Sequence, residues 1–413
     1  MGGKINKLLN TLSIWIGKRY LKVINSIAFY PALIAFSFLI FSFFFVSFDF
    51  SDMGKSIKSQ LHWLSLKDPS TARSIISAIV SGIISLAVFS FSMVMIILNQ
   101  TASQMSNRIL DKLIGNRFQQ VVLGFYIGTI VFALYLLSTI RDINSGIYIP
   151  ALSTYFLILL TIVDIFLFIY FLHFVTQSVK YEVIIQRIFK ETKSAMERYC
   201  PLQKEQVAEI PDSFKEIVNA NTTAVYEGFN RKALTELCNN NDCIVQILVT
   251  QGTFVFKDTP IIKLSKNLPD DEVNDLVKTI YLNDNESIDN NFFYGFRQLT
   301  EVAVKALSPG INDPGTAIEC LRALSKLFLF RIKNFPDGVI RNKQNKIIII
   351  KAELSSNDMF KTCIFPIWDY GKNDRMIQQE LFQILNHLRS ISEMGAVNKL
   401  FYEVSLAIEN NNV

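Results

Sequence analysis

The fold is decided by residues 74–107, SIISAIVSGIISLAVFSFSMVMIILNQTASQMSN, which contain no Asp, Glu, Lys, Arg or His. A helix of roughly 20 apolar residues is long enough to cross the hydrocarbon core of a bilayer. Residues 23–46 and 118–140 also lack these residue types, and residues 143–179 contain only Asp164 and His173. The pattern therefore predicts four transmembrane helices, near residues 28–48, 74–98, 119–140 and 150–174.

The composition of the whole chain agrees with this prediction. Of 413 residues, 50% are hydrophobic and only 19% are charged, whereas about a quarter are charged in soluble domains. This balance excludes a disordered or collagen-like chain and most ordinary cytosolic enzymes. No comparable apolar run follows Lys180. We predict a mainly α membrane protein with four transmembrane helices and a cytoplasmic α+β region, which comprises a small β-sandwich-like domain and a helical C-terminal domain.

The changes in pattern predict five regions along the chain. Residues 1–25 have apolar side chains at helical spacing and Lys on the other face, which predicts an amphipathic interfacial helix or a helix packed on the protein's own surface. Strand-like runs at 242–249 and 259–264, with turn residues between them, predict a β-rich segment. The remaining regions complete the prediction: transmembrane domain 26–178, linker helix 179–200, small β-rich domain 201–268 and mainly helical cytoplasmic domain 269–413.

The orientation follows from the Lys and Arg residues that flank the spans. Thirteen such residues lie in the N-terminal tail, the second connection and the segment after the fourth span, against five in the first and third connections. This bias predicts that both termini and the polar half lie in the cytoplasm of a bacterial inner membrane. The five Cys residues, which have no regular spacing, fit a reducing compartment.

The second span carries a stripe of small and polar residues. At 100° per residue the stripe members fall within about 40° of one line. Such a stripe favours either close packing and hydrogen bonding between helices or a water-filled path. A long helix with one wet face is also compatible with a symmetric oligomer around an axis. The candidate pore-lining or packing residues are Ser74, Ser81, Ser85, Ser92, Asn99 and Ser103.

The fourth span contains the two ionisable candidates, Asp164 and His173. An acid within the membrane is costly in contact with lipid, so Asp164 is expected to face protein or water. It is either a proton or cation site or an acid hydrogen-bonded to Ser, Thr or Gln on neighbouring helices. His173 is close to the cytoplasmic edge, where a hydrated interfacial side chain is expected.

The most structured motif of the polar half is ALSPGINDPGTA, residues 306–317. Asp313 is suited to cap a helix, with Pro314 in its first position. The tight turn predicts either an anion or ligand pocket at a helix N-terminus or a rigid corner at a subunit contact. The candidate residues are Ser308, Pro309, Gly310, Asn312, Asp313 and Pro314.

Several classes of function have little support in the sequence. The chain has no P-loop, no G-x-S-x-G and no cluster of metal ligands, and only three His residues. We therefore expect no catalytic activity, no metal and no cofactor. The net charge of +5 is modest, and no basic stretch interleaved with aromatics is present, so no nucleic acid partner is expected.

Several motifs together resemble the domain of unknown function 2254 family, over about residues 70–390. The phrase at 306–317 is close to the family's ALSPGINDPxTA, and Gly295-Phe296-Arg297-Gln298-Leu299 also fits. Further matches are Phe89–Ser92, Gln119–Gly124, His173 with Gln177-Ser178, and Asp337-Gly338. The chain departs from the family pattern at Phe174, where a second His is common, at Glu286-Ser287 and at Asn290-Asn291.

The resemblance implies a multi-pass inner-membrane protein with a cytoplasmic domain and names no activity. Two functions therefore stay open from the sequence. One is a homo-oligomeric channel or transport-like assembly with a cytoplasmic regulatory domain. The other is a membrane-anchored ligand-binding or sensory protein without transport. The expected partners are the lipid bilayer, further copies of the chain, and an ion or small ligand.

Overall fold

The computed structural model describes residues 28–60, 66, 68–104, 117–140, 149–178, 180–203, 214–283 and 286–411. The chain forms two compact units, with the boundary between Lys180 and Tyr181. We call them the membrane unit, up to Lys180, and the C-terminal unit, from Tyr181 onward. The interfacial helix predicted for residues 1–25 lies outside the described residues, which begin at Ala28.

The described part of the membrane unit is helical: α1 (Phe29–Phe50), α2 (Asp52–Gln60), α3 (Pro69–Gln104), α4 (Arg117–Thr139) and α5 (Ala151–Ser178). All but the short α2 are long and apolar enough to cross a membrane, which confirms the four predicted spans. Helix α3 begins earlier than predicted because Asp68 caps it, accepting from the Thr71 N–H at 3.0 Å. Hydrogen bonds from the Thr71 and Ser70 hydroxyls, and then from backbone N–H groups, lower the pKa of Asp68 to about 2.

Helix α4 lies at the centre of the membrane unit. In an 18-residue apolar stretch of α4, 44% of the residues are buried, whereas in the corresponding stretches of the other spans at most 17% are buried. Gly124 and Gly128 allow α1 to pack closely on α4, because an added Cβ would lie 2.7 Å from the side chains of Ile34 and Phe38 respectively. The G-x-x-x-G motif of this span is therefore used inside one chain.

Replacing Gly128 with Leu is expected to force α1 away from α4 and to destabilise the protein by about 1–3 kcal/mol or more, the range for overpacking. The measurement is thermal unfolding of the purified protein in detergent. Leu134→Ala, at an exposed position of the same helix, serves as the control and should change the unfolding temperature little. Equal stability of Gly128→Leu and the natural chain would contradict the close packing.

The C-terminal unit is mixed α+β. Its helices are α6 (Tyr181–Tyr199), α7 (Arg231–Asn241), α8 (Asp270–Lys278), α9 (Phe292–Ala306), α10 (Pro314–Lys333), α11 (Ser356–Gly371), α12 (Arg375–Arg389) and α13 (Gly395–Asn411). Its strands are β1 (Glu216–Asn219), β2 (Ala224–Phe229), β3 (Val245–Ile247), β4 (Phe254–Val255), β5 (Pro260–Leu264), β6 (Ile280–Asn283), β7 (Val339–Arg341) and β8 (Ile347–Ile350). The four spans followed by this α+β region confirm the predicted fold class.

The strands form two small sheets, with orders β1-β5-β3-β8-β7 and β4-β2-β6. Strands β3 and β8 pair in parallel, and the other pairs are antiparallel. Both sheets contribute to one hydrophobic core, for example through Val245 and Ile262 of the first and Tyr226 of the second. Strands β6, β7 and β8 come from beyond residue 268. They join the sheets through pairings between positions that are distant in sequence.

Helix α6 is an integral part of the C-terminal unit. Its buried face, which includes Ile184, Ile188 and Thr192, packs against α9 and α10. Gly295 of α9 faces Thr192 so closely that an added Cβ would clash with the Thr192 side chain. The segment predicted as a linker helix is therefore anchored by its own apolar face and ends before Cys200-Pro201.

Candidate functional site

The polar stripe of α3 points away from the rest of the membrane unit. Every stripe side chain that the structure describes is exposed: Ser74, Ser81, Ser85, Ser92 and Asn99. The opposite, buried side of the helix carries Ala72, Ile76, Ile83 and Ser90. The Ser85 hydroxyl donates to the Ser81 carbonyl at 2.8 Å, which satisfies this donor within the helix. Ser103 lies in the last turn, and its side chain is outside the described part.

The exposed face of α3 also shows a seven-residue repeat, which the sequence analysis missed. Its positions alternate spacings of four and three and are all exposed: Ser74, Ala78, Ser81, Ser85, Val88 and Ser92. Parallel helices use this spacing when they pack along a shared seam, and small residues let their backbones approach. We call these six residues the α3 seam. The spacing was present in the sequence, but only the structure shows that the seam faces outward.

Asp164 is fully buried in α5, together with three hydroxyl side chains. Thr129 of α4 lies beside its carboxylate. Tyr126 lies one turn from Thr129 on α4, and Ser90 of α3 lies beside the Tyr126 hydroxyl. We call Ser90, Tyr126, Thr129 and Asp164 the Asp164 cluster. Among the described residues, none of the side-chain oxygens of this cluster forms a hydrogen bond of normal geometry, although Thr129 adjoins the Asp164 carboxylate and Ser90 the Tyr126 hydroxyl.

Apolar layers lie on both sides of the Asp164 cluster. On α5, Leu157 and Phe171 are each seven residues from Asp164, which is two helical turns, and both are buried. On α4, Val122 and Phe132 are buried on either side of Tyr126 and Thr129. Sequence analysis found Asp164 but missed the three hydroxyls, because single Ser, Thr and Tyr residues are common in apolar helices.

The two ionisable candidates of the fourth span have different surroundings. His173 is exposed and lies nine residues from Asp164 in α5, a separation of roughly 13 Å along a helix. The Thr176 hydroxyl donates to the His173 carbonyl at 2.9 Å. The structure therefore does not bring His173 into the Asp164 cluster.

A second buried acid, Asp49, connects three helices where α1 ends and α5 begins. The sequence pattern did not indicate it. Asp49 is fully buried at the end of α1, and its carboxylate lies 2.7 Å from the Lys58 ammonium of α2. Its other oxygen accepts from the Ser153 N–H at 2.8 Å, in the first turn of α5. Both carboxylate oxygens are thus satisfied, and the group is a structural clamp.

The motif at 306–317 forms a corner that closes on itself. The Asn312 N–H donates to the Ser308 carbonyl at 2.9 Å, and the Asp313 N–H to the Ala306 carbonyl at 2.8 Å. The Asp313 carboxylate caps α10 by accepting from the N–H and hydroxyl of Thr316, at 3.1 and 2.6 Å. Asn312 is left-handed, with φ of 49°.

The rest of the corner agrees with the predicted turn. Pro309 and Gly310 are exposed at the tip, and Pro314 starts α10. Burial and the charge of Asp313 raise the pKa of Tyr181, so the corner lies near the start of α6. Because Asp313 occupies the helix N-terminus with its own carboxylate, the corner is a rigid link. A ligand or subunit contact there stays a prediction.

Replacing Asp313 with Ala removes the cap of α10 and is expected to destabilise the protein by about 0.5–2 kcal/mol. Asp313→Asn keeps an acceptor at this position and should retain most of the stability. Thermal unfolding of the three proteins provides the comparison. If Asn and Ala were equally destabilising, the charge of Asp313 rather than its capping bond would be the important feature.

The C-terminal unit has a basic cleft of about 1370 Å³ beside the turn between β7 and β8. Five cationic residues line it: Lys215, Lys266, Arg341, Lys343 and Lys346. Asp242 pairs with Lys266 at 2.9 Å, and hydrogen bonding to Lys266 lowers the pKa of Asp242. The chemistry of this lining favours an anionic ligand. No group of three or more His, Cys, Asp or Glu able to hold a metal occurs within the described ranges.

Four apolar helices with a buried acid between them, followed by a polar α+β unit, define a multi-pass membrane protein. A model of one family of this class, described as predicted membrane protein (DUF2254), matches residues 24–387. The chain therefore belongs to the DUF2254 family, which confirms the resemblance found in its motifs.

Two uncharacterized mycobacterial proteins are among the relatives of this chain. One is from Mycobacterium bovis and one from Mycobacterium tuberculosis, and each is 22% identical over 337 residues, which cover 77% of this chain. The match covers 64% of the length of these relatives. No solved structure matches the chain.

Proposed function

We propose that the protein is a homo-oligomeric channel whose subunits associate through the α3 seam and line a polar path with the α3 stripe. The single observation that carries this proposal is that the stripe and the seam lie on the exposed side of α3. In an isolated subunit this side would contact lipid, where Ser and Asn side chains are unfavourable. A second protein surface or a water-filled path removes that cost.

The other exposed surfaces of the membrane unit differ from the exposed side of α3. Helices α1 and α5 expose large apolar side chains, which suit lipid contact: Phe36, Phe43, Phe44, Phe166 and Ile169. From Ser74 to Ser85, the exposed residues of helix α3 are small apart from Ile84, and large apolar side chains such as Phe89 and Phe91 are exposed only further along the helix. The G-x-x-x-G surface of α4 is covered by α1, whereas no helix among the described residues covers the comparable α3 seam.

A second copy of the chain is the partner that best fits the seam. Subunits in one membrane share an orientation, so a symmetry axis along the membrane normal brings identical α3 helices together in parallel. The alternating spacing of four and three is a pattern with which closely packed parallel helices meet along a seam. Around such an axis, Ser81, Ser85, Ser92 and Asn99 turn oxygen atoms toward the centre.

The positive-inside bias supports a location in the bacterial inner membrane with both termini and the C-terminal unit in the cytoplasm. There the C-terminal unit would regulate the path.

We also propose that the protein is not an enzyme. Burial raises the pKa of the Cys200 thiol to about 11 and that of Cys363 to about 12, so these two thiols are neutral near pH 7. A hydrogen bond to Cys238 lowers the pKa of the Cys243 thiol, but this side chain is buried.

The channel is tested by K⁺ efflux from liposomes that contain the purified full-length protein. The natural chain should release K⁺ faster than empty liposomes, and Ser92→Leu with Asn99→Leu should reduce the release, because Leu removes the oxygen lining. Ile84→Leu, at an exposed position away from the stripe, is the matched control. Absence of efflux from the natural chain would contradict a channel for small ions.

The basic cleft favours a second candidate function, a membrane-anchored sensor of an anionic ligand. Its cationic lining supports binding of a phosphate-bearing small molecule. The test is a thermal-shift series with inorganic phosphate and nucleoside phosphates, using the full-length chain and the variant Lys266→Glu with Lys343→Glu. A shift that the variant loses would support this function, and no shift with any of these anions would contradict it.

A further inference from the structure

We propose that the Asp164 cluster is an occluded binding site for one Na⁺ ion within each subunit. The proposal goes beyond the oligomeric channel, because all four side chains belong to one chain and lie on the buried sides of α3, α4 and α5. The Na⁺ site does not depend on what the α3 seam contacts.

The oxygen atoms of the Asp164 cluster are suited to bind a cation. Both carboxylate oxygens of Asp164 and the hydroxyl oxygens of Ser90, Tyr126 and Thr129 are buried. Thr129 lies beside the carboxylate and Ser90 beside the Tyr126 hydroxyl, but none of these oxygens forms a hydrogen bond of normal geometry among the described residues. Buried polar groups are almost always paired, and an isolated buried carboxylate is unfavourable in a low-dielectric interior. Oxygen lone pairs from three helices are instead the ligands that a hard cation takes.

The charge of the Asp164 cluster fits a monovalent cation. Asp164 supplies one negative charge, and no basic side chain in the described chain forms an ion pair with it. The hydroxyls of Ser90, Thr129 and Tyr126 are neutral and add none. One monovalent cation makes the site neutral, whereas a divalent ion would leave a buried positive charge. The charge balance therefore selects a monovalent ion.

Apolar side chains close the Asp164 cluster on both sides. The apolar layers at Leu157 and Phe132 and at Phe171 and Val122 separate the site from both ends of the membrane unit. Low dielectric strengthens the attraction between the carboxylate and a bound cation. A site closed on both sides retains the ion and ties α3, α4 and α5 together, so occupancy should stabilise the membrane unit.

The test is thermal unfolding of the purified full-length protein in detergent, titrated with NaCl against choline chloride at constant ionic strength and pH. The unfolding temperature of the natural chain should rise with Na⁺ and saturate. Asp164→Asn, a neutral substitution of similar shape, should lose this response. Thr129→Val should weaken the apparent affinity by about tenfold or more, as expected for loss of one oxygen contact to a charge.

Thr154→Val is the matched control. Thr154 is also buried in α5, but its hydroxyl donates to the Pro150 carbonyl at 2.9 Å, so this variant should keep the full Na⁺ response. Equilibrium binding of radioactive ²²Na⁺ provides a second measurement if a variant folds poorly, and about one ion per chain is expected from the single carboxylate. Equal responses to Na⁺ and choline in all variants would overturn the proposal. A pH-dependent but Na⁺-independent stability, lost in Asp164→Asn, would also overturn it and assign a proton to the carboxyl group.

Discussion

Replacing Asp49 with Ala is expected to destabilise the membrane unit by about 3–5 kcal/mol, because removing one partner of a buried ion pair leaves the other uncompensated. The Lys58 ammonium would lose the carboxylate contact at 2.7 Å and keep its hydrogen bond to the Asp49 carbonyl at 2.8 Å. The Ser153 N–H would lose its acceptor at 2.8 Å. The ends of α1 and α2 and the start of α5 would therefore separate. The measurement is the free energy of unfolding in detergent, or the unfolding temperature where unfolding is irreversible.

A matched control lies three residues away. Asp52 pairs with Lys55 at 3.2 Å, but its side chain is fully exposed. Such surface pairs contribute at most about 1 kcal/mol, so Asp52→Ala should leave the stability nearly unchanged. Equal stability of the Asp49→Ala and Asp52→Ala variants would contradict a stabilising role of the buried Asp49 contacts.

Placing Phe at Ser81 and Ser85 together is expected to dissociate the proposed oligomer. Two aromatic side chains on the α3 seam would keep neighbouring α3 helices apart, weakening each contact by about tenfold to a hundredfold, which corresponds to an overpacking cost of about 1–3 kcal/mol. Because Phe suits a lipid-facing position, as at Phe36 and Phe43, the fold of each subunit should survive. The particle mass in detergent or nanodiscs measures the change.

Ile84→Phe is the control for this double substitution. Ile84 is exposed on the same helix but lies off the seam, so the oligomer should persist. If the natural chain, the control and the double variant all have the same oligomeric mass, the subunit contact lies on another surface. A natural chain that is already monomeric would contradict association through α3.

The parts of the fold that sequence could predict are those with a local signal. The four spans follow from long apolar runs, of which only the fourth contains any Asp, Glu, Lys, Arg or His, namely Asp164 and His173. The cap of α10 follows from Asp313 next to Pro314, two residue types whose positions at a helix start have a simple physical cause. In both cases the residues that determine the element are contiguous in the chain.

The missed features depend on contacts between residues distant in sequence. Asp49 is one acid beside an apolar run, and only the turn at Ser51 and the approach of α5 reveal its partners Lys58 and Ser153. Strand β8 pairs in parallel with β3, about a hundred residues away in the chain, a pairing that no local pattern indicates. Ser90 and Ser92 are close neighbours in sequence, yet one is buried and the other exposed.

The most direct test of the central claim is a cryo-electron microscopy structure of the full-length protein in nanodiscs. The account predicts a cyclic homo-oligomer with α3 next to the symmetry axis, and with Ser81, Ser85 and Ser92 facing it. A monomer, or an oligomer in which α3 faces lipid while another helix lines the axis, would contradict the claim.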